Sequence, residues 1–364
     1  MRVAYVCYWF LLEKDGVAHK VDAQVAQWRA AGVEVEIFCL VRVFPDRGDQ
    51  TTAWHTFYFE SPLQRLAATR TLARAVEEWA PDVVYLRYDL FLPPLYPLLR
   101  RHPTVIEINA DDKEEAKLRV DRARVASAYN ELNRRALLSR ARGLVCVTHE
   151  LSRSSSFAPF GKPTEVIANG VDLDELRPLA AAPALDRPRV GFLGSARQTW
   201  HGIDKLAWLA RELPGVDFDI VGYDQGFLEE AIGGPAPANM HARGVLSRGE
   251  YEPILERCEI AFGTLALHRK NMKEACPLKV REYLGYGLPV VIGYDDTDLD
   301  ALHEWFVLRL PNEEGNVRAA KAEISSFLDA TRGRRVPREA IEDRVGAVAK
   351  ERRRLGFLRE LSAV

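Results

Sequence analysis

Apolar residues along this chain gather in short compact runs, separated by longer stretches in which they recur at helical spacing. Arg2-Val-Ala-Tyr-Val-Cys-Tyr-Trp9 has the length of a buried strand; an apolar-periodic segment follows through Trp28 and stops at Ala30-Ala-Gly32. Val33-Glu-Val-Glu-Ile-Phe-Cys-Leu40 is the next strand, and the three together predict a βαβ unit with a parallel sheet. Pro81 to Tyr88 and Pro103 to Asn109 add two buried strands, and a long helical pattern from about Lys113 to Arg142 ends at Gly143 before strand Leu144 to Thr148. The rhythm restarts at Arg189-Val-Gly-Phe-Leu-Gly194. It continues through Val216 to Gly222, Ala238 to Leu246, Ile260 to His268 and Pro289 to Tyr294. Between the two series, Pro178 to Pro188 is rich in Ala and Pro, as a linker would be. The expected division is 1–178, a linker 179–188, a second α/β domain 189–340 and a basic C-terminal helix 341–364.

The most pointed chemistry lies in 269–291, where Arg269-Lys-Asn-Met-Lys-Glu-Ala-Cys-Pro-Leu-Lys-Val-Arg-Glu282 leads into Tyr-Leu-Gly-Tyr-Gly-Leu-Pro-Val-Val291. Pro277 suits a first helical position, because its missing N–H would have had no intrahelical partner, so a short helix is expected from about Pro277 to Tyr283. The amides of Leu278, Lys279 and Val280, at the positive end of the helix dipole, would then form a seat for a diphosphate. Glu274 precedes that end and Glu282 lies roughly 7 Å along the axis at about 1.5 Å per residue. One carboxylate can thus face each side of a diphosphate, and each suits a vicinal diol. Arg269, Lys270, Lys273, Lys279 and Arg281 supply the cations such an arrangement needs.

Composition narrows the alternatives. The chain has 364 residues, 47% hydrophobic and 28% charged, which is ordinary for a globular protein with room for two cores. No run approaches the ~20 apolar residues of a membrane span. Met1-Arg2 passes straight into the first strand without a leader pattern, so a cytoplasmic location is expected. Five cysteines without Cys-x-x-Cys pairing read as buried reduced thiols. A net charge of −2 gives no reason to bind nucleic acid. Lys113 to Arg142 carries nine basic and four acidic residues, and Arg332 to Arg359 ten and four; peripheral contact with an anionic inner-membrane surface is the sharper reading of those segments and solvated helix faces the plainer one. There is no Gly-x-Gly-x-x-Gly after the first strand, so a nicotinamide dinucleotide is disfavoured. Asp296-Thr-Asp298 has the Asp-x-Asp form of a metal site but is better placed to cap a helix, so no metal and no cofactor are expected.

The Glu-x7-Glu spacing followed by Leu-Pro-Val-Val resembles the donor-binding motif of glycosyltransferase family 4. Asn169-Gly-Val-Asp172 is similar to the segment preceding that family's linker. The resemblance implies the α/β GT-B fold: two Rossmann-like domains with a cleft between them, the first on the acceptor side, the second holding the donor, and a C-terminal helix that crosses back to the first. It implies that Glu274 orients the transferred sugar, that Lys273 and the loop Cys276-Pro277-Leu278-Lys279-Val280 hold the diphosphate, and that Glu282 binds ribose hydroxyls. Gly194, Arg197 and a lysine after the first strand of the second domain would clasp the diphosphate. His201 stands where that lysine is usual, which makes Lys205 or Lys279 the second cation. Gly244 and Val245 fall where the nucleobase pocket lies. In the first domain Gly16, with His19 and Lys20 beyond it, falls on the loop facing donor phosphate and acceptor. Asn109 replaces a frequent histidine; an amide cannot take a proton, so a base would have to be Asp111 or Asp112, residues equally suited to capping the next helix.

The expected activity is transfer of a sugar from a UDP- or GDP-sugar to a saccharide, lipid-linked or small-molecule acceptor, retaining and metal-independent. Arg197, Glu274, Lys279, Asn109 and Asp111 are the expected catalytic set. A GT-B nucleotide-sugar epimerase and a non-catalytic nucleotide-sugar or membrane-surface binding protein are the alternatives.

Overall fold

The computed structural model describes residues 1–9, 16–42, 54–88, 93–117, 124–182, 186–195, 198–299 and 304–362. The chain divides into two compact units, Met1–Ala168 with Val348–Val364, and Asn169–Ala347.

The first unit holds a seven-stranded parallel sheet. Its strands are β1 (Arg2–Trp9), β2 (Glu34–Arg42), β3 (His55–Phe59), β4 (Val83–Arg87), β5 (Thr104–Ile108), β6 (Gly143–Cys146) and β7 (Thr164–Val166), in spatial order β3-β2-β1-β4-β5-β6-β7. β1 is central, with Val3 beside both Val35 and Val83. Helices α1 (Gly16–Ala30), α2 (Pro62–Trp79), α3 (Tyr96–Arg101), α4 (Asp112–Lys117), α5 (Arg124–Arg140) and α6 (His149–Arg153) make the connections. Helices cover both faces of such a sheet, which is why these strands read as unbroken apolar runs. α2 starts sharply because Ser61 and Gln64 form a reciprocal capping box and Pro62 follows the cap.

In the second unit a six-stranded parallel sheet has the order β10-β9-β8-β11-β13-β15. These are β8 (Arg189–Leu193), β9 (Asp217–Val221), β10 (Met240–Ala242), β11 (Ile260–Phe262), β13 (Val290–Ile292) and β15 (Val307–Arg309); β12 (Glu274–Ala275) and β14 (Asp295–Asp296) pair separately. The helices are α7 (Ile203–Glu212), α8 (Gln225–Ile232), α9 (Arg248–Glu256), α10 (Leu278–Gly285), α11 (Asn316–Ala319), α12 (Lys321–Thr331) and α13 (Glu342–Val345). Gly222 (φ +92°) passes so close to β8 that a Cβ there would lie 1.8 Å from the Gly194 carbonyl oxygen, a position only glycine can hold.

Residues 169–178 lie with the second unit, whereas the sequence reading assigned them to the first domain. The Val171 N–H donates to the Val345 carbonyl at 2.9 Å, and the Ala347 N–H returns to the Val171 carbonyl at the same distance. The last helix, α14 (Ala347–Ser362), completes the first unit. Its Leu355, Phe357 and Leu358 join the core of Val3, Tyr5, Trp28 and Tyr85, and the Trp28 indole donates to Glu351 Oε2 at 2.8 Å. Gly143 is needed beside it, since a Cβ there would strike Leu361 and Phe357. All five cysteines are buried free thiols, and among the described residues no helix is long and apolar enough to cross a membrane.

Candidate functional site

Short hydrogen-bonded tethers fix the loop ahead of α10. β12 lies parallel to β14 with Glu274 beside Asp295. Asn169 donates its side-chain amide to the Cys276 carbonyl at 2.9 Å and its backbone N–H to Cys276 Sγ at 3.4 Å. Arg281 is fully buried and grips Asp296 Oδ1 at 2.7 Å and Asp298 Oδ2 at 2.6 Å, while its Nε reaches the Asn169 carbonyl at 3.3 Å. The Asp-x-Asp pair thus serves as counter-charge to a buried guanidinium, and Asp296 Oδ1 also accepts the Asp298 N–H at 3.0 Å.

Pro277 (φ −63°, ψ 136°) is the residue before α10 and provides no side-chain cap. Among the described residues the amides of Leu278 and Lys279 have no hydrogen-bond acceptor. The Val280 N–H, expected to be free as well, donates to the Pro277 carbonyl at 3.1 Å, because the first turn closes on the extended proline. The amide seat therefore has two donors and not three. Above it the Lys279 ammonium is buried without any hydrogen-bond acceptor and stands 4.2 Å from the centre of the Phe192 ring. Burial pulls its pKa down to about 7. His201, only 7% exposed, packs edge-on against the same ring at 5.7 Å, and its Nδ1 has no partner. Burial, followed by the Lys279 charge, holds this imidazole well below its ordinary pKa, so it is neutral; its one N–H serves the Ser195 backbone and Nδ1 is left as an acceptor. Tyr283 on the same helix accepts the Leu193 N–H at 2.5 Å, which locks α10 against the end of β8. The Lys279 ammonium without an acceptor and the two open amides at the start of α10 are donors that could receive an anion.

Further along α10, Glu282 accepts from the Tyr251 hydroxyl at 2.9 Å and from Arg248 Nη2 at 3.3 Å, and Arg248 also reaches Glu175 at 3.0 Å. Its carboxylate is thereby aimed before any ligand arrives. Gly244 (φ +71°) accepts the Gly222 N–H at 2.7 Å, and Val245 beside it is 70% exposed, an open apolar surface of the kind that stacks on a base. Gly194 follows β8 directly and donates to the Val221 carbonyl at 3.0 Å. Lys205 does not join the group. Its ammonium is bound to the Leu265 carbonyl at 3.1 Å, the Glu313 carbonyl at 2.8 Å and Asn316 Oδ1 at 2.9 Å, so its three donors are consumed within the fold. Lys279 is left as the second cation. Arg197 lies outside the described residues.

In the first unit Gly16 is the first residue of α1. Asn109 is held by neighbours: its amide donates to Glu107 Oε2 at 3.1 Å and its oxygen accepts from Lys20 at 3.3 Å. Asp111 caps the following helix: its Oδ1 accepts from the Lys113 N–H at 3.0 Å, the Glu114 N–H at 3.4 Å and the Ser156 hydroxyl at 2.9 Å. Asp112 pairs with Arg134 at 3.2 Å.

Sequence reasoning missed four residues. Tyr251 and Arg248 orient Glu282, and Phe192 forms the floor under Lys279; only the capping box Ser247 to Glu250 signals that a helix starts near the first two. Glu107, on a strand read as plain core, is fully buried and binds Lys20 at 2.9 Å and Arg87 at 3.1 Å. Burial alone would raise its pKa, but Lys20, Arg87 and Arg354 outweigh that and hold it well below the carboxylate range.

Residues 14–175 match the model of Glycosyltransferase Family 4. No curated protein matches the chain by sequence. Among solved structures, sucrose-phosphate synthase from Thermosynechococcus elongatus is similar with a TM-score of 0.73 at 14% identity, over 99% of both chains. HepE of Anabaena, solved in complex with UDP, superposes with a TM-score of 0.61 at 14% identity, over 99% of this chain and 100% of that one. UDP-GlcNAc 2-epimerase from Neisseria meningitidis, bound to UDP-GlcNAc, gives 0.57 at 13% identity over 99% and 100%. At these identities the likeness is one of fold, and the fold is GT-B.

Proposed function

We propose that this chain, which carries the Glycosyltransferase Family 4 match through residues 14–175 and the GT-B fold along its length, transfers a sugar from a nucleotide-diphosphate donor to an acceptor hydroxyl. The observation that carries the reading is the Lys279 ammonium, buried with no acceptor on the helix whose first two amides are open. UDP in the Anabaena structure and UDP-GlcNAc in the Neisseria one support a donor of this class.

The difficult step is cleavage of the bond between the anomeric carbon and the diphosphate oxygen, during which negative charge accumulates on the departing phosphate. The Leu278 and Lys279 amides and the Lys279 ammonium are fixed before the reaction, so they stabilise that charge without reorganising. Loss of one such donor costs ~3 kcal/mol of barrier, roughly a hundredfold in rate. Glu274 on the loop holds hydroxyls of the sugar, and Glu282, already aimed by Tyr251 and Arg248, takes the ribose diol. The acceptor proton passes to the departing phosphate oxygen as the new bond to the anomeric carbon forms. Atoms balance without a protein base, and configuration is retained.

Thermal-shift screening of UDP, GDP, ADP and CDP identifies the nucleotide, and the matching sugar donors are then assayed with an acceptor panel. A shift confined to one base, with sugar release that requires an acceptor, is the expected result. Turnover of the nucleotide sugar with no acceptor present would identify an epimerase; binding without turnover across the panel would leave a sugar-nucleotide binding protein.

A further inference from the structure

The exposed face of α2 in the first unit carries features that the donor-site reading does not use. Leu66, Arg70 and Arg74 follow one another at intervals of four residues, so they form a single row along the helix. Leu63 is 80% exposed and Leu66 38%, large apolar side chains turned to solvent one and two turns before the arginines. Arg70 and Arg74 have no hydrogen-bond or ion-pair partner among the described residues. Two like charges at this spacing repel weakly, a cost that a bound anion would offset.

These arginines line a groove of about 390 Å³. Ala73 lies between them, and Pro94, Pro97 and Arg101 form the opposite wall. Glu77 neutralises Arg101 at 3.2 Å, which leaves the two α2 guanidiniums as the uncompensated charge of the groove. Guanidinium groups bind phosphate oxygens in a bidentate fork, and the proline wall with Leu63 and Leu66 offers apolar contact to whatever the phosphate is attached to. The basic C-terminal segment is less available. There Arg335 is spent on the carbonyls of Ala180, Glu256 and Cys258, Arg353 on Glu165, and Arg354 on Glu351.

We propose that the groove between α2 and α3 binds the phosphate of a ligand that also carries an apolar portion, supplied either by a phospholipid surface or by a free phosphate ester. This site lies wholly within the first unit and does not depend on the donor reading.

The test measures flotation of the full chain with vesicles of equal parts phosphatidylcholine and phosphatidylglycerol, and calorimetric titration with phenyl phosphate. Binding to the vesicles assigns the lipid source, and titration with phenyl phosphate the soluble one. In either case the double substitution Arg70→Gln with Arg74→Gln should weaken binding by about tenfold or more, as loss of charge-assisted hydrogen bonds requires. Arg100→Gln removes an exposed charge outside the groove and should change affinity less than about twofold. The melting temperature of the double variant should equal or exceed that of the parent, because like-charge repulsion is relieved. Binding to neither probe, equal weakening by Arg100→Gln, or a lowered melting temperature in the double variant would each overturn the proposal.

Discussion

Lys279 titrates where its protonation can be read directly in a binding experiment. Its pKa is lowered from 10.5 to about 7 by burial. A fall of that size corresponds to at most about 5 kcal/mol at 1.36 kcal/mol per unit, and less in practice because the stem of the side chain keeps contact with solvent. A diphosphate beside the ammonium restores the charged form, so nucleotide binding above pH 7 must draw a proton from solution. At pH 8 only about a tenth of the free protein carries the charge, and binding UDP, or whichever nucleotide the screen selects, should take up about 0.9 proton. Apparent affinity should weaken roughly fifty-fold between pH 7 and pH 9 for the same reason. Calorimetric titration at pH 8 in two buffers of different ionisation enthalpy measures the uptake. In Lys279→Met the uptake should vanish, with binding weak and insensitive to pH across that window. Stability responds to pH as well. Between pH 7 and 10.5 the unfolded chain holds the proton and the folded one does not, so this group makes stability rise with pH there. Lys279→Met should flatten that rise and leave the protein more stable at neutral pH. An equal proton uptake in parent and variant would refute the assignment of Lys279 to the diphosphate.

Glu274→Gln should remove sugar transfer by a hundredfold or more, ~3 kcal/mol of barrier, while nucleotide affinity measured by calorimetry stays within about twofold. Glu282→Ala should weaken nucleoside diphosphate binding by about tenfold and that of inorganic diphosphate hardly at all, because the contact lies with the ribose; equal losses for both ligands would reject the role. Asp296→Ala strips a fully buried guanidinium of its main counter-charge and should cost about 3–5 kcal/mol, seen as an earlier denaturant midpoint with an unchanged slope. Exhaustive chelation should leave transfer rates unaltered; recovery only on adding Mg²⁺ or Mn²⁺ would count against the charge scheme drawn above.

The central strands were plain in the sequence because a sheet covered on both faces needs uninterrupted apolar residues, as in Val3 to Cys7 and Val83 to Leu86; the half-exposed edge strand β3 and the short β7 and β15 lack that pattern and went unread. The loop before α10 could be located for a related reason: a proline opening a short helix beside paired carboxylates is a local pattern, readable without the fold. What escaped depends on contacts far apart in sequence. Lys205 looks like a free cation until Leu265, Glu313 and Asn316 are brought to it. Asp296 and Asp298 look like helix caps in the sequence until β14 pairs with β12 and delivers them to Arg281. The unit boundary moved from 178 to 168 because the segment from Asn169 is tied to Cys276, more than a hundred residues on. Val280 is a subtler case, since its amide was counted as open until the extended ψ of Pro277 turned a carbonyl back onto it.

The place of α14 has a consequence for biosynthesis. Trp28 is sealed in its core only when Glu351, Leu355 and Leu358 arrive, and those residues are translated after the whole of Asn169–Ala347. The second unit can therefore reach its native form from its own residues, while the earlier-made one needs a wall supplied last. A released chain ending at Ala347 should be protease-sensitive over its amino-terminal unit and resistant beyond it, the reverse of the order in which the two are synthesised.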